Sequence, residues 1–120
     1  DMQTDITLSY EDQILIIDAK YYQNSFQKNF GVYKVHSGNL YQMYTYVRNK
    51  EAQVKGSDRK VSGMLLYART NELLAPDDVY HISGNKISVK TLDLNKEFSC
   101  ISAQLDQIVE DQFGIEKRAS

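Results

Sequence analysis

The fold is decided by residues 14–20, which read ILIIDAK. The apolar start of this stretch is too short for a helix and has apolar residues on both faces, which predicts a strand inside a covered sheet. Residues 2–8 (MQTDITL) alternate with a period of two and predict a second strand. A turn over residues 9–13 would join the two strands in an antiparallel hairpin.

Residues 39–50 (NLYQMYTYVRNK) predict a helix, because apolar side chains recur at the spacing of one helix face. These side chains are Leu40, Met43, Tyr44 and Val47. Ser37 or Asn39 is a candidate N-cap. Residues 61–68 (VSGMLLYA) predict another buried strand. The order strand, helix, strand predicts two parallel, neighbouring strands joined by a helical crossover.

The remaining segments complete an α/β domain whose mixed sheet is flanked by helices. Residues 21–38 are aromatic and irregular, residues 51–60 are a polar loop, and residues 75–78 are a turn. A hairpin is predicted from residues 79–82 and 86–92. An acidic amphipathic helix over residues 98–113, with Ser99 as a candidate cap, closes the domain.

Length and composition bound the class of protein. The 120 residues suit a single domain, 1–120, and Cys100 has no partner within the chain for a disulfide. No apolar run approaches the roughly 20 residues that span a bilayer, so no membrane is expected and a reducing cytoplasm is the expected compartment. We expect Cys100 to be buried, and we interpret His36 and His81 as structural or exposed because neither has partners at zinc-site spacing.

Charge is segregated along the chain. Residues 19–69 hold nine Lys/Arg and two acids, a net charge of +7, while the rest holds five Lys/Arg and fourteen acids, a net charge of −9. A basic stretch within an acidic frame is typical of a phosphate-facing surface beside a carboxylate cluster. An ordinary solvated basic face gives the same pattern and is the more frequent reason for it.

Asp5, Asp18 and Lys20 are the candidate chemical group. Asp18 and Lys20 are two apart on a strand and therefore share a face, and Asp18 ends a buried run, where a carboxylate is costly unless it is paired. Pairing of the first two strands would bring Asp5 beside Asp18. Two carboxylates that repel each other are relieved by a hard cation such as Mg²⁺. Lys20 could then position a water or stabilise charge on a phosphate.

Each of these residues also has an ordinary explanation. Short D-x-K triplets are common, so Asp18 and Lys20 alone fit strand-end charges, with Asp5 on the surface. Gln42 and Tyr46 lie at i and i+4 beside the apolar stripe of the predicted helix. Gln42 could bind a substrate phosphate or a water with support from Tyr46, or the tyrosines could simply pack with their hydroxyls in water.

Four ordered blocks resemble the PD-(D/E)XK nuclease domain of McrC, the cleavage subunit of 5-methylcytosine restriction systems. The blocks are residues 5–6 (DI), 14–21 (ILIIDAKY), 40–46 (LYQMYTY) and 63–67 (GMLLY). The resemblance runs from residue 4 to about residue 68 and continues more weakly into residues 89–94. It implies a restriction-endonuclease-like mixed sheet flanked by helices. It also implies a C-terminal fragment that lacks the family's N-terminal helix and first strand.

The resemblance also implies roles for individual residues. Asp5 matches the aspartate of the Pro-Asp pair, Asp18 and Lys20 match the D-x-K element, and Gln42 and Tyr46 match a Gln-x-x-x-Tyr element. Two departures stand out in this sequence. Thr4 replaces the usual proline, and Asn39 stands where many relatives have aspartate, which we interpret as a change of helix cap.

The leading hypothesis is therefore a DNA endonuclease domain dependent on Mg²⁺ (or Mn²⁺). Asp5, Asp18 and the backbone carbonyl of Ala19 would hold the metal. Contacts to DNA phosphates would come from basic residues of the 19–69 segment, namely Lys28, Lys34 and Arg48. The resemblance implies methylated DNA as substrate and an McrB-like, GTP-dependent AAA+ subunit as partner. The alternative is a non-catalytic assembly or DNA-binding module that keeps the nuclease fold.

Overall fold

The computed structural model describes residues 4–21, 26–29, 32–35, 37–69 and 77–115. Seven strands and two helices lie within these ranges. In chain order they are β1 (Thr4–Tyr10), β2 (Gln13–Tyr21), β3 (Phe26–Asn29), β4 (Val32–Val35), α1 (Ser37–Gln53), β5 (Lys60–Arg69), β6 (Asp78–Ile82), β7 (Asn85–Asp93) and α2 (Phe98–Phe113).

Five strands form one mixed sheet in the order β1-β2-β5-β7-β6. The three inner strands β2, β5 and β7 run parallel, whereas β1 and β6 pair antiparallel at the two ends of this order. Helix α1 connects β2 to β5 across one face, so the predicted crossover between parallel neighbours is confirmed. The predicted α/β class is also confirmed, and the architecture is that of a restriction-endonuclease-like sheet flanked by helices.

The β1–β2 hairpin is tighter than the sequence predicts. Its ladder continues to the pair Tyr10↔Gln13, so the turn contains only Glu11 and Asp12 instead of residues 9–13. Glu11 takes a positive φ of 54°, as two-residue hairpin turns commonly require. The second hairpin, β6–β7, turns through Ser83 and Gly84, both at positive φ, and its prediction is confirmed.

Alternating side chains of the inner strands, together with side chains of the two helices, form two apolar layers. The layer beneath α1 consists of Ile14, Ile16, Met43, Val47, Val61, Leu65, Tyr67, Ile87 and Val89. The layer beneath α2 consists of Leu15, Ile17, Met64, Leu66 and Phe113. This division explains why residues 14–17 are apolar without alternation, since both faces of β2 are covered.

Helix α1 packs closely on β5 at Gly63. A Cβ at this position would lie 2.6 Å from the side chain of Met43 and 3.0 Å from a methyl group of Val47. Both of these residues are buried members of the apolar stripe that predicts the helix. The missing side chain at Gly63 therefore sets the distance between α1 and the sheet.

Polar contacts dock α2 on the opposite face. The amide of Gln112 donates to Ser62 Oγ at 3.3 Å and its carbonyl accepts from Ser88 Oγ at 3.0 Å. Gln13 Nε2 donates to the backbone carbonyl of Phe113 at 3.0 Å, and the Phe113 ring lies 5.7 Å from the ring of Tyr10. These contacts fix the C-terminal half of α2 over the sheet.

Several local predictions are wrong in detail. Residues 21–38 contain β3 and β4, a short antiparallel hairpin whose polar, aromatic sequence lacks clear alternation. Helix α1 runs from Ser37 to Gln53, so residues 51–53 continue the helix instead of starting the loop. Residues 75 and 76 of the predicted turn lie outside the described residues, and Asp78 already begins β6.

The cap and cysteine predictions also need correction. Ser37 and Asn39 lie inside α1, and Asn39 bonds across to the sheet instead of capping. The N-cap of α2 is Glu97, without a side-chain cap bond, and Ser99 lies within the helix. Cys100 is exposed because it lies in the first turn of α2, where no other part of the described structure covers it.

Neither α1 nor α2 has the combination of length and apolar character that a bilayer-spanning helix needs, among the residues the structure describes.

Adding a methyl group at the α1–β5 contact should destabilise the fold. We expect Gly63→Ala to lower the free energy of unfolding by about 1–3 kcal/mol, because the new Cβ overlaps the buried Met43 and Val47 side chains. Urea denaturation followed by circular dichroism measures this change.

Gly38→Ala is the matched control. Gly38 is exposed in the first turn of α1, and no atom lies within 4 Å of the position that a Cβ would take there. Alanine should therefore leave stability unchanged or raise it by up to about 1 kcal/mol. Equal effects of the two substitutions would contradict the close contact at Gly63.

Candidate functional site

Asp18 and Lys20 form an ion pair near the C-terminal end of β2. Lys20 Nζ lies 3.1 Å from Asp18 Oδ2, and the Asp18 side chain is 1% exposed. Alternation along β2 places both residues on the α1 side of the sheet, in line with Ile14 and Ile16. The predicted shared face of Asp18 and Lys20 is thereby confirmed.

The strand register brings residue 5 to the same position along the sheet. Asp5 is the ladder partner of Asp18, and Thr4 is the partner of Ala19 at the last pair of the β1–β2 ladder. The predicted side-by-side placement of residues 5 and 18 is therefore confirmed for the backbone. The described side chains of β1 begin at Ile6, and the Asp5 carboxylate lies outside them.

Helix α1 covers this side of the sheet and carries the two other predicted site residues, Gln42 and Tyr46. Gln42 and Tyr46 are both half-buried, and Tyr46 packs against the apolar layer beneath α1. Both residues also interact with other parts of the protein. Their half-burial on the inner side of the helix agrees with the predicted position beside the apolar stripe.

A second polar contact at this edge was not predicted from the sequence. Asn39 Nδ2 donates a 3.0 Å hydrogen bond to the hydroxyl of Tyr67, near the end of β5. Tyr67 is the register partner of Lys20 and is completely buried. The sequence did hold a signal for this contact. Tyr67 lies near the end of a predicted buried strand, and parallel neighbouring strands end at the same edge of a sheet.

The environment of Tyr67 favours the neutral phenol. Burial is the largest cause that raises its pKa above the ordinary value, and the negative charge of Asp18 acts in the same direction. The hydrogen bond from Asn39 has the opposite, smaller effect. The ladder pairing of Tyr67 with Lys20 likewise places Tyr67 next to the strand segment that carries the Asp18–Lys20 pair.

The structure does not place the predicted phosphate-binding residues together at this edge of the sheet, as far as their side chains are described. Lys28 and Lys34 belong to β3 and β4, where side chains are outside the description. Arg48 is exposed, lies 3.7 Å from Glu51, and stands roughly 14 Å further along α1 than Asn39 at 1.5 Å per residue. The role of these three residues remains a prediction.

The two histidines do not join the site. His81 is exposed on β6, as expected, and His36 lies outside the described residues. No group of three or more His, Cys, Asp or Glu side chains is arranged for a metal ion among those the structure describes. Asp18 is the one predicted carboxylate ligand with a described side chain.

The site places a buried carboxylate and an ammonium group side by side. A buried carboxylate attracts a divalent cation, and an ammonium at 3.1 Å supplies a positive charge for a phosphate oxygen. A half-buried amide on the covering helix adds a donor and an acceptor. These groups are of the types used in metal-assisted phosphodiester hydrolysis.

Fold and site together define an α/β domain of restriction-endonuclease-like architecture with a buried Asp–Lys pair near a strand end. The chain is 34% identical over 110 residues to the Type IV methyl-directed restriction enzyme EcoKMcrBC of Escherichia coli (strain K12). The match covers 92% of this chain and 30% of the relative. It confirms the expected relationship to McrBC-type restriction enzymes. A scan against models of protein families finds no match.

The raised pKa of Tyr67 predicts a stability loss at high pH. Below the ordinary tyrosine pKa of about 10, the phenol is neutral in both the folded and the unfolded state. As the pH rises further, the unfolded chain loses this proton first, so the contribution of Tyr67 to stability falls until its folded-state pKa is passed. The free energy of unfolding should therefore decrease more steeply above pH ~10 in the wild type than in Tyr67→Phe.

Urea denaturation at several pH values from about 8 to about 11 measures this difference. Tyr41→Phe is the control, because the Tyr41 side chain is 74% exposed and its removal should leave the pH dependence of the wild type unchanged. Parallel curves for the wild type and Tyr67→Phe would contradict the assigned environment of Tyr67.

Proposed function

We propose that this chain is a metal-dependent DNA endonuclease domain of an McrBC-type restriction system, which hydrolyses phosphodiester bonds. The observation that carries the proposal is the Asp18–Lys20 pair, a buried carboxylate with an ammonium 3.1 Å away near the end of an inner strand. The similarity to a curated restriction enzyme over 92% of the chain supports it independently.

The donor set fits Mg²⁺ or Mn²⁺. Mg²⁺ is commonly bound by one or two carboxylates together with waters and substrate phosphates, so a cluster of three acidic side chains is not needed. Asp18 and Asp5, which are ladder partners, would supply the carboxylates. The backbone carbonyl of Ala19 would be an additional oxygen ligand. A divalent ion held there would activate a water and neutralise charge on the phosphate.

The other residues would position the substrate. Lys20, half-buried beside Asp18, would donate to a phosphate oxygen and stabilise the negative charge that develops in the transition state. Gln42 would orient the attacking water or bind a second phosphate oxygen, and Tyr46 would support the Gln42 side of α1. Lys28, Lys34 and Arg48 would contact the DNA backbone further from the scissile bond.

The printed description of the relative as a methyl-directed restriction enzyme, with McrBC in its name, supports a proposal for substrate and partner. We propose methylated DNA as the substrate and an McrB-like, GTP-dependent AAA+ subunit as the partner. The chain carries no Gly-x-x-x-x-Gly-Lys-Ser/Thr phosphate-binding loop, so it would not supply the nucleotide site itself.

A non-catalytic assembly or DNA-binding module is the second candidate. The observation in its favour is the same ion pair, because the Lys20 ammonium neutralises the Asp18 carboxylate without a metal ion. In such a module the pair would stabilise the end of β2, and metal binding would be absent. Calorimetric titration with Mn²⁺ separates the two, since the nuclease requires a site that Asp5→Ala weakens.

Removal of the Asp18 charge should abolish cleavage. We expect Asp18→Asn, which keeps the shape of the side chain, to reduce Mg²⁺-dependent cleavage of methylated DNA at least about 100-fold. The measurement is turnover of a labelled duplex by the complete protein with its motor subunit and GTP. Circular dichroism should show an unchanged fold.

Asp12→Asn is the matched control, because Asp12 is an exposed acid in the turn at the other end of β2. It should cleave at the wild-type rate. Cleavage by Asp18→Asn at the same rate as Asp12→Asn would remove the nuclease assignment.

DNA binding should depend strongly on salt. If basic residues of the 19–69 segment contact phosphates, each contact releases counterions, and log K should fall linearly with log salt at about 0.9 per contact. Arg48→Gln should reduce this slope by about one unit when binding is measured by fluorescence anisotropy. A slope that is unchanged in Arg48→Gln would exclude Arg48 from the DNA interface.

A further inference from the structure

The hydrogen bond between Asn39 and Tyr67 links helix α1 to the sheet at the edge where Asp18 lies. It joins residues 28 positions apart, from the first turn of the helix to the end of β5. The Tyr67 side chain is 0% exposed, so water does not compete for this bond. Neither residue has a role in the mechanism proposed above.

The chemistry of the two groups fixes the direction of this bond. An amide nitrogen only donates, so the Tyr67 oxygen is the acceptor and its own hydrogen is directed away from Asn39. On the sheet, the neighbour of Tyr67 across the β2–β5 ladder is Lys20. The carboxylate of Asp18 is close enough to influence the phenol. Tyr67 thus stands as an uncharged polar group between the helix and the ion pair.

The link also determines where the covering helix lies. Gln42 follows Asn39 by three residues and shares its side of α1. A bond that holds Asn39 against Tyr67 therefore fixes both the height and the rotation of the first turns of α1. Further along the helix, the close contact at Gly63 fixes the same helix at Met43 and Val47. The two contacts together fix the segment of α1 that carries Gln42 relative to the sheet that carries Asp18.

We propose that Asn39 and Tyr67 act as one positioning unit, which holds the first turn of α1 over the Asp18–Lys20 pair and so aligns the cation ligand Asp18 with Gln42. This inference rests on the nuclease function proposed above. A bond with a purely structural role would stabilise the fold and leave metal affinity and turnover of the folded protein unchanged. The positioning role requires both to change.

The test uses the complete protein and four variants. Tyr67→Phe removes only the hydroxyl, Asn39→Ala removes the donor at a half-buried helix position, and the double variant removes both. Tyr44→Phe is the control, because Tyr44 is a half-buried tyrosine that packs against the same apolar layer from α1. Mn²⁺ affinity is measured by isothermal titration, and kcat and KM are measured on methylated duplex DNA. Melting temperatures show that each variant is folded.

We expect Tyr67→Phe and Asn39→Ala each to weaken Mn²⁺ binding about 10-fold, as is typical when a group that orients a metal ligand is lost. The turnover number should fall by a similar factor, while KM for DNA changes less than about 3-fold. The double variant should match either single variant, because each single substitution already breaks the hydrogen bond between the two residues. Tyr44→Phe should equal the wild type in both measurements.

Three outcomes would overturn the inference. In the first outcome, both single variants keep wild-type Mn²⁺ affinity and turnover while Asp18→Asn is inactive. This result would support the nuclease function and exclude the positioning role of Asn39 and Tyr67. Additive losses in the double variant would show that the two residues act separately. Wild-type Mn²⁺ binding in Asp18→Asn would remove the metal site itself, and with it both proposals.

Discussion

The parallel pairing of β2 with β5 is the constraint on which the site depends. Because the two strands run in the same direction, their C-terminal ends meet at one edge of the sheet, and Lys20 becomes the neighbour of Tyr67. The connecting helix must return antiparallel to both strands, so its first turn, with Asn39, lies at this same edge. One topological choice therefore gathers residues from three segments that are distant in sequence.

The energetics of the Asp18–Lys20 pair favour a chemical over a stabilising role. Burial of a charge pair costs several kcal/mol of desolvation per ion, and a pair of packed apolar side chains is often as stable or more so. The same strand supplies such side chains at Ile14 and Ile16, which precede Asp18 on the same face of the sheet. A carboxylate in place of a third apolar residue weakens the core. Its presence at this position therefore favours a role in binding. The burial of Asp18 is thus an argument for a ligand.

Features that depend on spacing along one element were predictable from the sequence, and those that depend on how elements pack were not. Asp18 and Lys20 belong to the first kind, because spacing along one strand decides their face. The β3–β4 hairpin was missed because its polar, aromatic sequence hides any period of two. The bond between Asn39 and Tyr67 depends on the height of α1 above the sheet, which the missing side chain of Gly63 sets. Asn39 was accordingly mistaken for a cap, its usual role at the start of a helix.

Charge that is segregated along the chain is distributed differently in space. Lys20 lies at the site, whereas the basic residues that follow α1 lie at the other end of the sheet, where the backbone of Lys60 bonds to Asp12. The backbone of the acidic β1–β2 turn is therefore adjacent to the start of β5, where the basic loop ends. Under the proposed function, the Asp18–Lys20 pair would serve the chemistry at one end of the sheet, and the basic loop before β5 lies at the other end.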